Sequence, residues 1–335
     1  MVDFDDQPLF NALAYPCILI GKAISPAKDR AFKWLGPDQC RNPERALSSA
    51  NISATKILQQ SLTSEGWQFN VEERKRLTNL EWSTAPLSAW NGGIPVKRGI
   101  LTGLNAAFVI PKEIALRLEK TDSSLRSYLK LYLRGKKDIQ NSQCSFNDFY
   151  ILAISSSANQ RHPWSGLNKD AAESVFKKLH PALYQWFKPF RENLIIRADQ
   201  GDYYWELRSC GFWADFRKPK VLIPTLCLNP EAAADTVGYC VNDKINFVLT
   251  GKPNLLAGLL IATATWNRLR ETAATRQNGY IEVKPLYLNN LPIPVLPHEA
   301  NEAISDLMAK YNSASRSSSQ HSSLIDDIDH IIASA

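Results

Sequence analysis

The chain has 335 residues, 44% hydrophobic and 21% charged, which excludes an intrinsically disordered protein and leaves room for one large domain or two. It contains no run of eighteen apolar residues, so no membrane-spanning helix and no membrane partner are expected. Net charge is +6 and the isoelectric point about 8.9, values that allow a polyanionic partner without demanding one.

Residues 13–20 read as a buried strand, and the acidic Asp3, Asp5 and Asp6 ahead of them do not suit a signal peptide. Residues 25–54 are polar and irregular, punctuated by Pro26, Gly36, Pro37 and Pro43. The spacing of Ile57, Leu58 and Leu62 predicts a short helix, and residues 72–80 a charged one with Leu77 and Leu80 inward. Gly92-Gly93 then breaks the chain before Gly99-Ile100-Leu101-Thr102-Gly103-Leu104-Asn105-Ala106-Ala107-Phe108. This phrase reads as a glycine-punctuated loop entering an apolar strand, where Gly99 and Gly103 permit conformations or close approaches that a Cβ would block. Such a loop could offer backbone N–H groups, Thr102 and Asn105 to a ligand, or serve only as a turn.

Residues 111–118 predict a helix with Pro111 at its first position. Leu125, Leu129 and Leu133 continue at helical spacing through a basic, amphipathic stretch to Arg134. Ten Lys or Arg fall between Lys97 and Lys137, opposed only by Glu113, Glu119 and Asp122, so one basic region lies directly behind the glycine loop. A strand is expected over residues 149–154, a polar loop over 155–162 and helix over 169–187. Residues 220–226 and 245–249 predict strands, and 255–269 an apolar helix after Asn254. Leu291-Pro292-Ile293-Pro294-Val295 is extended by its prolines. Residues 299–311 predict a helix, residues 313–323 a serine-rich flexible hinge, and residues 324–332 a last amphipathic segment. Strands and helices mix without a βαβ rhythm, so the expected fold class is α+β, mixed sheets with packed helices and a helical C-terminal tail.

No catalytic constellation stands out. Pro-Pro is absent, which removes the Asn/Asp-Pro-Pro-aromatic loop that amino-methylating DNA methyltransferases use on a flipped base. Glu73-Arg74-Lys75 and Glu282-Val283-Lys284 have a Glu-x-Lys spacing but no companion acid suited to a nuclease metal site. The five histidines lack metal-ligand spacing, and no serine occupies a Gly-x-Ser-x-Gly turn. The six cysteines form no Cys-x-x-Cys pair, as expected of free thiols in a reducing cytoplasm.

Three further phrases follow the glycine loop in order. They are Leu133-Arg134-Gly135-Lys136-Lys137-Asp138-Ile139, then the stretch from Asn193 to Arg208 containing Arg197-Ala198-Asp199-Gln200-Gly201 and Trp205-Glu206-Leu207-Arg208, then Phe216-Arg217-Lys218-Pro219-Lys220-Val221-Leu222-Ile223-Pro224. Leu291-Pro292-Ile293-Pro294 closes the series. This succession resembles the TaqI-like C-terminal specificity domain, the target-recognition half of adenine-specific DNA methyltransferases and type IIG restriction-modification enzymes. The resemblance spans roughly residues 8 to 300, including Leu9-Phe10. It departs in placing both Lys136 and Lys137 between Gly135 and Asp138-Ile139, in lacking the Leu-Tyr-Gly-Leu ending, and in lacking the methyltransferase half.

The resemblance implies a target-recognition domain over residues 1–300, a helical tail over 301–335, and duplex DNA as partner. It further implies a fused or separate methyltransferase domain that would bind S-adenosylmethionine and methylate adenine; no cofactor is expected in this chain. Lys97, Arg98, Arg134, Lys136 and Lys137 are the phosphate candidates. Thr102, Asn105, Gln143, Asn147, Asn159, Gln160, Arg161, Arg197 and Arg208 are the loop or base candidates, with ion pairs an equal alternative for the two arginines. Whether the chain belongs to an enzyme or is a non-catalytic scaffold in a defence assembly stays open at this point.

Overall fold

Short strands and helices interleave along the computed structural model, which describes residues 1–4, 16–22, 29–40, 42, 44, 47–48, 54–61, 82–90, 92–276, 279–313 and 317–335. Near the N-terminus, β1 (Val2–Asp3) pairs antiparallel with β2 (Cys17–Ile18), and β3 (Ala31–Trp34) with β4 (Thr55–Leu58). β5 (Trp82–Pro86) and α1 (Leu87–Trp90) lead to β6 (Lys97–Arg98), the glycine loop and α2 (Asn105–Phe108). After these come β7 (Val109–Pro111), α3 (Lys112–Thr121), β8 (Leu129–Leu133), the hairpin β9 (Ile139–Gln140) and β10 (Gln143–Cys144), and β11 (Phe149–Leu152). Helices α4 (Lys169–Leu179), α5 (Pro181–Phe187) and α6 (Arg191–Ile196) precede β12 (Lys220–Pro224), β13 (Leu226–Cys227), β14 (Ala233–Asp235), β15 (Cys240–Val241) and β16 (Ile245–Leu249). The chain ends in α7 (Pro253–Ile261), α8 (Thr263–Thr272), the hairpin β17 (Ala274–Thr275) and β18 (Ile281–Glu282), α9 (Pro285–Asn289), β19 (Pro292–Pro294), α10 (His298–Asn312) and α11 (Ser318–Ser334).

The class is α+β. One four-stranded sheet has the order β14-β12-β16-β6, and a second the order β15-β8-β11-β7, in which β15 runs parallel to β8. Every residue of β12 and β16 is buried, because helices or strands cover both faces. Alternation then divides them between two cores. Leu222, Ile245, Phe247 and Leu249 join a core with Phe108, Ile151, Trp164, Phe176 and Trp205. Val221, Ile223 and Val248 join another with α7, Ile304, Met308, Leu324 and Ile328. The apolar residues of segment 301–335 therefore share a core with the sheet. Lys220, paired across the ladder with Asp235, has no exposed side chain; its Nζ lies 2.5 Å from the Asp235 carboxylate and donates to the Phe216 carbonyl at 2.6 Å. Asp235 also accepts from the amides of Val237, Gly238 and Tyr239 at 2.9–3.0 Å, so both buried charges are satisfied.

Several predicted elements differ. The helix expected through Leu125–Arg134 is instead a 3-10 turn, Ser123–Ser127, followed by strand β8. A leucine spacing of four is also twice the strand period, and here the sheet pairings decide. Ile57 and Leu58 lie in β4 rather than a helix, held by the register Ile57↔Phe32 and Leu58↔Ala31. The buried strand expected over residues 13–20 is reduced to the exposed pair Cys17–Ile18, and Ile20 is 86% exposed; residues 13–15 lie outside the described residues, as do 72–80, Glu73-Arg74-Lys75 and Leu9-Phe10. Pro111 ends β7 and caps α3 instead of opening it, since its ψ of 157° is extended. The helix expected over 169–187 divides at His180, ahead of Pro181, and the apolar helix over 255–269 divides at Ala262 (ψ 137°), where Asp329 of α11 accepts from the Thr263 amide at 2.9 Å. In the serine-rich stretch, residues 318–323 are helical. Ser317 and Gln320 form a reciprocal capping box that starts α11 there.

Candidate nucleic-acid interface

The glycine loop, the Leu133-Arg134-Gly135 phrase and the turn after β15 meet at one backbone junction. The Ile100 amide donates to the Val241 carbonyl at 2.7 Å, the Asn242 amide to Leu133 at 3.1 Å, and the Asp243 amide to Ile100 at 3.0 Å. Asn242 Nδ2 donates to the Arg134 carbonyl at 2.5 Å. Glycine is required at two points. A Cβ on Gly99 would sit 2.1 Å from the Asn242 carbonyl oxygen and 2.4 Å from that of Val241, and Gly135 has φ +126°. The clearance at Gly103 is likewise taken by protein, Asp199 and Arg197. The loop is packed against its own chain.

Basic side chains surround this junction. Arg98 is exposed and donates through Nε to the Asp243 carbonyl at 2.6 Å. Lys244, not singled out from the sequence, is 65% exposed, and its Cβ lies 3.4 Å from where a Gly135 side chain would begin. Its only signal in the sequence was an ordinary turn position, so its place beside Gly135 needed the fold. Lys136 and Lys137 are exposed, and Lys136 Nζ stands 4.8 Å from the centre of the Tyr280 ring. Arg134 is held by Asp138 through Nε (3.0 Å) and Nη2 (2.9 Å), and it lies 3.7 Å from the Phe149 ring centre. Burial works to raise the Asp138 pKa, but hydrogen bonds from Arg134 and from Asn147 (2.7 Å) outweigh it and hold the carboxyl below its usual range. Lys97 is mostly buried and ion-paired to Asp215, which Lys218 also contacts at 2.7 Å.

The other candidates are largely hydrogen-bonded within the chain, although Asn105, Asn147, Asn159 and Gln160 stay exposed. Thr102 is buried, and its hydroxyl donates to Asn105 Oδ1 at 2.7 Å, so the pair braces the loop. Arg197, buried at 7% exposure, forms no ion pair among the described residues. It donates to the carbonyls of Thr102, Asp199, Tyr204 and Glu206 and lies 4.4 Å over Phe108. Burial pushes its pKa down to about 10, still well above neutrality. Arg208 pairs with Asp199 at 3.1 Å. Gln143 donates to the Tyr311 carbonyl at 2.8 Å, Asn159 accepts from the Cys210 amide at 2.6 Å, and Gln160 accepts from Ser155 at 2.8 Å. The loop over 155–162 is pinned rather than loose. The fully buried Glu206 accepts from the Ser157 amide and hydroxyl, the Trp164 indole and the Asp202 amide at 2.6–3.0 Å. Arg161 remains exposed.

Among the described residues no three His, Cys, Asp or Glu side chains are grouped to hold a metal ion. No described helix is long and apolar enough to cross a membrane.

No family model and no curated protein matches the chain. Solved structures do resemble it. The type IIL restriction-modification enzyme MmeI in complex with DNA aligns at TM-score 0.47 and 11% identity, covering 92% of this chain and 39% of that one. The type IIG restriction endonuclease BpuSI aligns at TM-score 0.44 and 13% identity, covering 90% and 39%. The chain thus spans about two fifths of the length of either enzyme.

Proposed function

We propose that this chain is a DNA target-recognition module of a restriction-modification system. The observation that carries the reading is the convergence of separate phrases on one junction ringed by Arg98, Arg134, Lys136, Lys137 and Lys244. Phosphates need mobile, solvated cations on a firm base. Here the exposed lysines and Arg98 supply the charge, while glycine contacts and the Arg134–Asp138 clasp supply the base. The module would hold one side of a duplex while a separate methyltransferase domain, carrying S-adenosylmethionine, flips and methylates an adenine.

Protein–DNA titration across salt concentration tests this, with the full chain alone and together with its methyltransferase domain. The expected result is a linear fall of log affinity with log salt and tighter binding to the cognate site than to random duplex. Equal affinity for cognate and random duplex in both preparations would overturn the reading.

A further inference from the structure

Burial divides sharply within the loop after β11. Ser155, Ser156 and His162 are buried, while Ala158, Asn159, Gln160 and Arg161 between them are all exposed. The neck of the loop is closed from inside. The His162 ring, stacked on Trp164 with centres 4.6 Å apart, donates through Nε2 to the Ser155 carbonyl at 2.8 Å. The Asn159 and Gln160 amides both donate to the Ser156 carbonyl, at 2.8 and 3.1 Å, and the Ala158 amide donates to Ser156 Oγ at 3.2 Å. From below, the buried Glu206 carboxylate accepts the Ser157 amide at 3.0 Å and its hydroxyl at 2.6 Å. A loop closed at both ends and from beneath has little backbone freedom left to lose when its exposed side chains meet a ligand.

Those side chains keep bonding capacity. Asn159 Oδ1 is fixed by the Cys210 amide at 2.6 Å, and Arg161 has no hydrogen bond, ion pair or ring contact among the described residues. The Asn159–Cys210 bond also sets the loop beside the surface assigned to phosphates. Two residues beyond Cys210, the Phe212 ring lies 5.3 Å from Lys97 Nζ, and Lys97 precedes Arg98 in β6. Along this path Arg98, Arg208 and Lys218 are each more than half exposed, whereas the carboxylates beside them, Asp243, Asp199 and Asp215, are each less than a third exposed. The outward face between the loop and the basic junction is therefore positive.

We propose that residues 158–161 form a base-reading loop in which Arg161 reads a guanine; the inference rests on the DNA-recognition reading above. The arginine fork matches guanine O6 and N7, and the carboxamides of Asn159 and Gln160 beside it have the chemistry of base edges rather than of phosphates. Phosphate contacts position a protein and tolerate mobile side chains, as at Lys136, Lys137 and Lys244. Base reading needs a donor set held in register, and that is what the hydrogen bonds to Ser155, Ser156 and Ser157 supply.

Selection of bound duplexes from a randomised pool tests the assignment, using the full chain alone and together with its methyltransferase domain. Wild type, Arg161→Ala, Arg161→Lys and Lys137→Ala are compared, with thermal melts to show that each is folded. Wild type is expected to return a consensus containing a guanine. Arg161→Ala and Arg161→Lys are expected to lose preference at that guanine by about ten- to hundredfold, the lysine because it keeps charge but not the planar fork. Lys137→Ala is expected to weaken binding evenly and keep the consensus. If both Arg161 variants return the wild-type consensus at every position, whether binding is weakened or not, Arg161 reads no base and the assignment fails while DNA recognition stands. If wild type returns no consensus in either preparation, the recognition reading fails and takes the assignment with it.

Discussion

The guanidinium of Arg197 donates to the carbonyl oxygen of Thr102, 95 residues earlier in the chain. That bond ties the loop before Trp205 to the glycine loop, and the same side chain reaches the carbonyls of Asp199, Tyr204 and Glu206. Arg197 therefore organises the base of the module from within. Arg197→Ala would strand several buried carbonyls and is expected to cost about 3–5 kcal/mol. Urea unfolding checks this. A midpoint unchanged from wild type would remove Arg197 from this role.

Gly99 and Gly251 should respond oppositely to the same substitution. Gly99→Ala forces a Cβ against backbone oxygens that have nowhere to go, whereas a Cβ on Gly251 meets nothing within 4 Å. The first is expected to destabilise by about 2–3 kcal/mol or more and to loosen the basic junction. The second should stay within about 0.5 kcal/mol. Thermal melts of the two variants decide it.

The buried Lys220–Asp235 pair should be asymmetric. Lys220→Met leaves Asp235 its three amide donors, but Asp235→Ala leaves an unpaired buried ammonium and those amides. Asp235→Ala is expected to cost about 3–5 kcal/mol, and Lys220→Met clearly less. Denaturant titration of both variants reveals the order, and equal losses would contradict it.

Alanine at Lys136, Lys137 or Lys244 should each lower DNA affinity at every sequence tested and shallow the salt slope by about one. Unfolding midpoints should stay near wild type, since these side chains are exposed. Gel-shift titrations at several salt concentrations measure both quantities.

Burial raises the Glu231 pKa to about 7, against a hydrogen bond from the Ser142 amide and the charge of Lys136 that lower it. The folded state therefore keeps a proton that the unfolded chain has lost, and Glu231 subtracts stability as pH rises from about 4.5 to 7. His321, bonded to Ser142 Oγ at 2.8 Å, has its pKa lowered by burial and acts in the opposite sense, with stability lost as pH falls through its folded value. Glu231→Gln isolates the first effect. Relative to wild type, it should gain stability between pH 4.5 and 7.5, measured by urea unfolding at both pH values.

The strands with both faces covered, residues 220–224 and 245–249, were legible because their apolar residues, Val221–Pro224 and Ile245 with Phe247–Leu249, fall on both sides of the strand rather than alternating with a solvent face. The segment around Leu125, Leu129 and Leu133 was not. Its spacing fits helix and strand alike, and only pairing with β11 and β15 selects the strand. Break points were similarly hidden at Ala262, where Asp329 of α11 caps the new helix from 66 residues away.

For the interface, composition and order alone marked the basic stretch from Lys97 to Lys137 and the glycines Gly99 and Gly103, since charge density and the absence of a Cβ are properties of the residues themselves. Tertiary structure decided which of those groups are turned inward. It committed Arg197 to carbonyls, Lys97 to Asp215 and Thr102 to Asn105, and it placed Lys244 and Tyr280 beside Lys136 and Gly135. A side chain's identity states which bonds it can make. Which partners come within reach depends on contacts made across a hundred residues or more, and those exist only in the folded chain.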